Sequence, residues 1–236
     1  MNLTIAEEIR NTYRDLRIGV VVASDIKNRA IDSELEEFKR KTEISIREKF
    51  TSDTLVNHPF IWAWRETYRS FGVKPKKYNP TCEALIRRIL DGEKIPSINV
   101  AVDSYLLAEA EFMLPCGGYD LDRVSGDISL RFSKGLEKFY PLGSHEVEET
   151  NSGEVVYADR LRILTRKWNF RDCDFTKITT KSANIGLFIE AAKKEIPTEA
   201  LERFTGRLKD LLRRFCEGNV HSFLVGVQEK LEWIIV

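Results

Sequence analysis

Nine polar residues, Asn99, Asp103, Asp120, Asp122, Arg131, Glu154, Asp159, Arg171 and Asp172, gather among glycines and prolines in the middle of this 236-residue sequence. An ionised carboxylate rarely stays buried without a partner, because desolvation still costs several kcal/mol after relaxation. At strand ends such side chains are exposed, paired with arginine, or lining a pocket. Each one alone fits a loop cap or an ion pair; together they point to a pocket built from residues 96–182. Other chemistry fits poorly. His58, His145 and His221 are scattered, and the adjacent Ser144-His145 lacks the spacing of a nucleophile–base pair. Cys82, Cys116, Cys173 and Cys216 form no Cys-x-x-Cys pair and have few histidines to join them, so no metal and no cofactor are expected. Pro115-Cys116-Gly117-Gly118 lacks the strand–GxGxxG–helix setting of a dinucleotide fingerprint. Its glycines are expected to turn the chain or let the backbone approach a ligand.

The 37 basic and 37 acidic residues cancel, which removes the global charge signature of a non-specific nucleic-acid binder. Local basic groups remain. Lys74, Lys76 and Lys77 precede a helix carrying Arg87 and Arg88, and Arg203, Arg207 and Arg214 recur along a C-terminal helix. Such groups form either a solvated face or a contact with a phosphate backbone. Trp168-Asn169-Phe170-Arg171 contains groups able to stack on a base or to pack a strand edge.

The elements that must hold these residues are mixed. The length and the 42% hydrophobic fraction suit one folded α/β (α+β) domain over 1–236, with a core at 60–195, an N-terminal elaboration over 1–59 and C-terminal helices over 196–236. Periodicity predicts helix over 3–14, a strand at Ile18–Ala23, an amphipathic helix over 33–49 opened by Ser33 with Glu36, and an aromatic-rich helix from His58 through Ser70. Asn79 followed by Pro80 predicts another helix, stopped near Gly92. Strands are expected at Ile98–Val102, Asp127–Phe132, Glu154–Ala158 and Leu161–Thr165, with a short helix at Ser104–Glu111. Beyond Lys181 the pattern predicts helix at 184–195, at 198–216 and in a final segment 220–236. No uncharged apolar run approaches the roughly 20 residues of a membrane helix, and no h-region follows the N-terminus, so a cytoplasmic protein with reduced thiols is expected. The apolar end, Leu231 to Val236, suits docking onto the core better than a dimer contact; oligomeric state is otherwise open.

From Tyr68 to about Glu190 the sequence resembles the B3/4 domain, the region of the bacterial-type phenylalanyl-tRNA synthetase β subunit that carries its editing site, and more closely free-standing proteins made of that domain. The matching words include Tyr68-Arg69-Ser70-Phe71-Gly72, Pro96-Ser97-Ile98-Asn99, Leu114-Pro115-Cys116-Gly117-Gly118-Tyr119-Asp120, Leu130-Arg131-Phe132, Gly153-Glu154-Val155-Val156-Tyr157-Ala158-Asp159 and Trp168-Asn169-Phe170-Arg171-Asp172. The resemblance implies a strand-rich core flanked by helices and a pocket that receives the aminoacylated 3′ end of tRNA and hydrolyses a wrongly attached amino acid. It places Gly117 and Gly118 as oxyanion donors, Asp120 or Glu154 as the group orienting water or the substrate ammonium, and Asn99, Asp103, Pro115, Arg131, Asp159, Arg171 and Asp172 around the substrate. The family's asparagine three residues beyond the Asp103 position is Leu106 here. A non-catalytic RNA-binding module and a small-molecule amino-acid binder or amidohydrolase stay open beside the editing reading.

Overall fold

Short apolar runs and well-capped helices alternate along the chain. The computed structural model describes residues 1–226 and the backbone of residues 231–232. In order they form β1 (Asn2–Ile5), α1 (Glu7–Thr12), β2 (Arg17–Ser24), α2 (Ser33–Lys49), α3 (Ser52–Leu55), α4 (Pro59–Ser70), α5 (Thr81–Leu90) and α6 (Val100–Phe112). There follow β3 (Cys116–Asp120), β4 (Ile128–Phe132), β5 (Lys138–Phe139), β6 (Glu148–Glu149), β7 (Val155–Ala158), β8 (Ile163–Arg166) and β9 (Arg171–Asp172). The chain continues with β10 (Ile185–Ala191), α7 (Thr198–Phe215), β11 (Asn219–Gly226) and β12 (Leu231–Glu232). The mixed α/β class expected from the sequence is the one observed.

Two larger sheets organise these elements. One has the order β12-β1-β4-β7-β8-β9 and the other β11-β2-β10-β3, while β5 and β6 pair separately. A shared apolar core joins them: Leu3, Leu130, Val155 and Tyr157 of the first sheet pack with Val20, Leu187 and Ile189 of the second, with Val100 and Leu107 of α6 and with Leu201 and Phe204 of α7. A second cluster, including Ile46, Ile61, Ile86, Ile89 and Ile95, holds α2, α4 and α5 together.

Caps set the helix starts, in places one residue from the predicted ones. Asp32, rather than Ser33, caps α2 by accepting from the Glu34 and Leu35 N–H groups, and Glu36 turns instead to Lys39 and Ser97. His58 Nδ1 accepts from Phe60 N at the start of α4, with Pro59 in the first turn. At α5 the cap position is Pro80, not Asn79.

There are four larger departures, and the first two share a cause. Ile98–Val102, expected as a strand, is the N-terminus of α6: Asn99 accepts from Val102 N at 3.1 Å and opens a helix buried on nearly every side. All-round burial removes the amphipathic period that would have marked it. Residues 184–195, expected as a helix, hold β10, whose seven residues are all buried between β2 and β3; a strand covered on both faces shows no alternation to read. The start of the segment predicted helical over 3–14 is β1, parallel to β4. In the last expected helix, Asn219–Gly226 forms β11 against β2, and Leu231 and Glu232 pair with β1. Trp233, Ile234, Ile235 and Val236 lie outside the described residues.

Candidate active site

Where β3 and β10 face β7, β8 and β9, a cavity of about 270 Å3 opens. Buried Tyr157, Phe188, Trp168 and Glu190 form its depth, and Leu142, Phe170 and Arg171 reach the solvent at its rim. Tyr119, Tyr157 and Phe188 pack ring against ring between the two sheets, with centroids 5.5–6.4 Å apart. Only short strands bring these side chains together, because each strand delivers alternate residues to the intersheet space.

Three carboxyls surround this space. Glu190, near the end of β10, accepts a 2.8 Å hydrogen bond from Tyr157 Oη on Oε1, and its Oε2 has no partner. Asn169 stands beside it. Tyr68 Oη donates to Asn169 Oδ1 at 2.7 Å, which fixes the amide and leaves Nδ2 unpaired. Burial, reinforced by the charge of Asp172, pushes the Glu190 carboxyl up to about 8. Glu109 of α6 lies behind the lining, and burial pushes it too to about 8 against the opposing Thr81 hydroxyl and Cys116 N–H.

Asp172 differs. Burial raises it only to about 6, opposed by the Thr165 hydroxyl. Although the residue is partly accessible at the rim, protein surrounds its carboxyl. Thr165 Oγ1 donates to Asp172 Oδ1 at 2.5 Å, so the 2.5 Å contact between Tyr119 Oη and Thr165 Oγ1 has the tyrosine as donor. Near pH 7 the cavity therefore presents one ionised carboxylate toward its mouth and a neutral carboxylic acid in its depth.

The Gly117-Gly118 pair is not a turn. Both residues belong to β3, the edge strand beside β10. A Cβ at Gly117 would stand 3.5 Å from Asp172 Oδ2, so the glycine keeps that carboxylate open to the cavity. A Cβ at Gly118 would lie 2.3 Å from Leu187 Cδ2 and 2.6 Å from the Gly186 carbonyl oxygen. That glycine serves close strand approach instead. Cys116 lines the cavity, and burial pushes its thiol well up, away from nucleophilic use.

Of the residues expected at the site, Gly117, Arg171 and Asp172 line the cavity. The others lie outside its lining, and the polar ones among them each have a local partner. Glu154, expected to orient water, takes Arg166 Nε and Nη2 at 3.0 Å each and Lys167 Nζ at 3.6 Å, all buried. Asp120 accepts from Ser182 Oγ at 2.6 Å and Asp122 N at 3.2 Å, with Arg123 at 3.4 Å. Asn99 caps α6, and buried Asp103 accepts from Lys39 Nζ at 3.1 Å and Ile98 N at 2.8 Å. Arg131 forks onto Glu137 and draws that carboxyl down to about 2. Asp159 accepts backbone N–H groups of Ser125, Leu161 and Arg162, and Pro115 is buried ahead of β3. Leu106 packs between the two apolar clusters. Among the described residues no group of three His, Cys, Asp or Glu is arranged to hold a metal ion.

The expected basic groups lie outside the cavity lining. Lys76 and Arg87 line a wider groove, Arg88 pairs with Glu93, the Lys77 ammonium sits 5.3 Å over the Tyr78 ring, and Lys74 is exposed. Sequence reasoning missed Glu190, Glu109, Tyr157 and Thr165. One signal was present: Glu190 is the sole charge in the apolar run Ile185–Ala191, and a lone carboxyl there must be neutral or paired.

The B3/4 domain family model matches residues 63–212, a span containing every residue that lines the cavity. None of the curated proteins matches the chain. Among solved structures, an N-terminal fragment of the phenylalanyl-tRNA synthetase β-subunit from Pyrococcus horikoshii is 12% identical, with a TM-score of 0.46 over 92% of this chain and 49% of that one. The chain thus spans about half the length of that fragment.

Proposed function

This chain belongs to the B3/4 domain family, and we propose that it is a trans-acting hydrolase that removes a wrongly attached amino acid from tRNA. The cavity carries this reading: its 270 Å3 suits an amino-acid side chain, and Asp172, raised to about 6, stands toward its mouth. A general base works best with a pKa near the operating pH. In the proposed reaction Asp172 takes a proton from water as the water oxygen adds to the ester carbonyl. Collapse of the tetrahedral intermediate breaks the bond to the ribose oxygen, and the proton passes from Asp172 to that oxygen. As an edge strand, β3 has alternate N–H groups outside the ladder to face the developing oxyanion, and Gly117 leaves the approach clear.

Specificity would come from the depth of the cavity. Glu190 Oε2 and Asn169 Nδ2 stand beside one another past an aromatic wall, with no other protein partner. A site built to hydrogen-bond a polar tip rejects an analogue lacking it, because its own buried groups are then left unpaired. The favoured substrate is an aminoacyl-tRNA whose side chain ends in a hydroxyl or amide.

The test is deacylation of a panel of correctly and incorrectly charged tRNAs. Turnover of a subset with polar-tipped side chains is expected, with Asp172→Asn reducing it about 10²- to 10⁴-fold while the protein stays folded. The rate should rise with pH through about 6 as Asp172 ionises and fall above about 8 as Glu190 loses its proton. Binding of a free amino acid with no turnover of any charged tRNA would overturn the hydrolase reading in favour of a small-molecule binder.

A further inference from the structure

The second groove, about 890 Å3 and open, is lined by Trp62, Arg65 and Arg69 of α4, Lys76 and Asn79 of the following connection and Arg87 of α5, with Asp53 and Glu66 as its acids. Arg65 and Arg87 both close on one oxygen of buried Glu83, at 2.6 and 2.8 Å, so two guanidiniums share a single carboxylate. Glu66 pairs with Arg69. Lys76 adds a further exposed cation, and Lys74 and Lys77 extend the positive charge along the same connection. Trp62 is 45% exposed, although it belongs to an aromatic helix whose Trp64 and Tyr68 are fully buried. Cations beside an accessible indole form the pattern that tracks a phosphate backbone and stacks a base.

The groove also borders the cavity. Lys76 and Asn79 line the groove while Thr81 lines the cavity. Between them Tyr78 packs edge-on against the rim residue Phe170, with ring centroids 5.1 Å apart. We propose that this groove binds the single-stranded or helical end of an RNA whose terminus enters the cavity, with Lys76 and Arg69 on phosphates and Trp62 stacking on a base. This assignment rests on the hydrolase reading for the identity of the RNA, and the binding site itself is tested separately from hydrolysis.

Uncharged, fluorescently labelled tRNA is titrated with the parent protein, Lys76→Glu and Trp62→Ala over a range of salt concentrations. In parallel, hydrolysis of a small aminoacyl-adenosine ester, which reaches only the cavity, is followed. Lys76→Glu is expected to weaken tRNA binding at least about fivefold and to reduce the salt slope by about one or more. Trp62→Ala should weaken binding by about fivefold or more with the slope unchanged, and both variants should treat the small ester like the parent. Loss of RNA binding in the variants alongside an inert small ester would uphold the groove and sink the hydrolase reading. Equal tRNA binding by all three proteins would overturn the groove, whatever the ester shows. Displacement of tRNA by polyglutamate as effectively as by polyuridylate would overturn it as well, marking the groove as a surface for acidic polypeptide.

Discussion

A carboxylate's role in this protein follows from what shares its burial. Glu154 and Asp172 both lie beside strands in polar words of the sequence, yet one is held by Arg166 and Lys167 and the other by a single threonine hydroxyl. The first is committed to neutralising two buried cations; the second retains a lone-pair face toward the cavity. Removing one partner of a buried ion pair leaves the other charge unpaired, typically at a cost of about 3–5 kcal/mol. Glu154→Ala is therefore expected to lower stability by roughly that amount in urea denaturation, while hydrolysis per folded molecule is retained. A stable variant that had lost hydrolysis would instead return Glu154 to the catalytic set.

Among the elements, β3 is where the resemblance and the geometry part most usefully. Its two glycines looked like a ligand-binding turn; in the sheet they do separate jobs. Because a methyl group at Gly118 would strike the Gly186 carbonyl oxygen as well as a leucine side chain, backbone must move to admit it. Gly118→Ala is expected to cost about 1–3 kcal/mol or more, read as a lower thermal midpoint. Gly117→Ala meets only ordinary contact distances to Asp172 and should keep its stability while impeding hydrolysis. Equal stability of the two variants would remove the distinction. The buried helix α6 and buried strand β10 escaped sequence reading for the same reason: total burial erases periodicity. The amphipathic α2 and the proline-opened α4 were legible because one face of each meets water and their caps are local.

At the scale of the whole molecule, the fold encloses two acids that remain largely protonated near pH 7 and a third whose carboxyl is raised less. Glu109 and Glu190 are raised to about 8 and Asp172 to about 6, above the ordinary carboxylate range expected in the unfolded chain. The native state then binds more protons than the unfolded one across that interval, so stability falls as pH rises from about 4.5 through 8. Glu109→Gln, which supplies a neutral group outside the cavity lining, should flatten this decline and raise stability at pH 8–9 by on the order of 2 kcal/mol. An unchanged pH profile of the thermal midpoint would show that Glu109 is ionised in the fold. What the sequence determined alone was the α/β class, the family resemblance, the capped surface helices and three of the cavity residues, Gly117, Arg171 and Asp172, because composition, caps and contiguous words are local. Only the tertiary structure decided which acids are paired and which remain available. Glu190, Tyr157 and Thr165 reach one cavity through strands distant in sequence, and Arg166 claims Glu154 across a strand pair; partners at that separation leave no spacing to read.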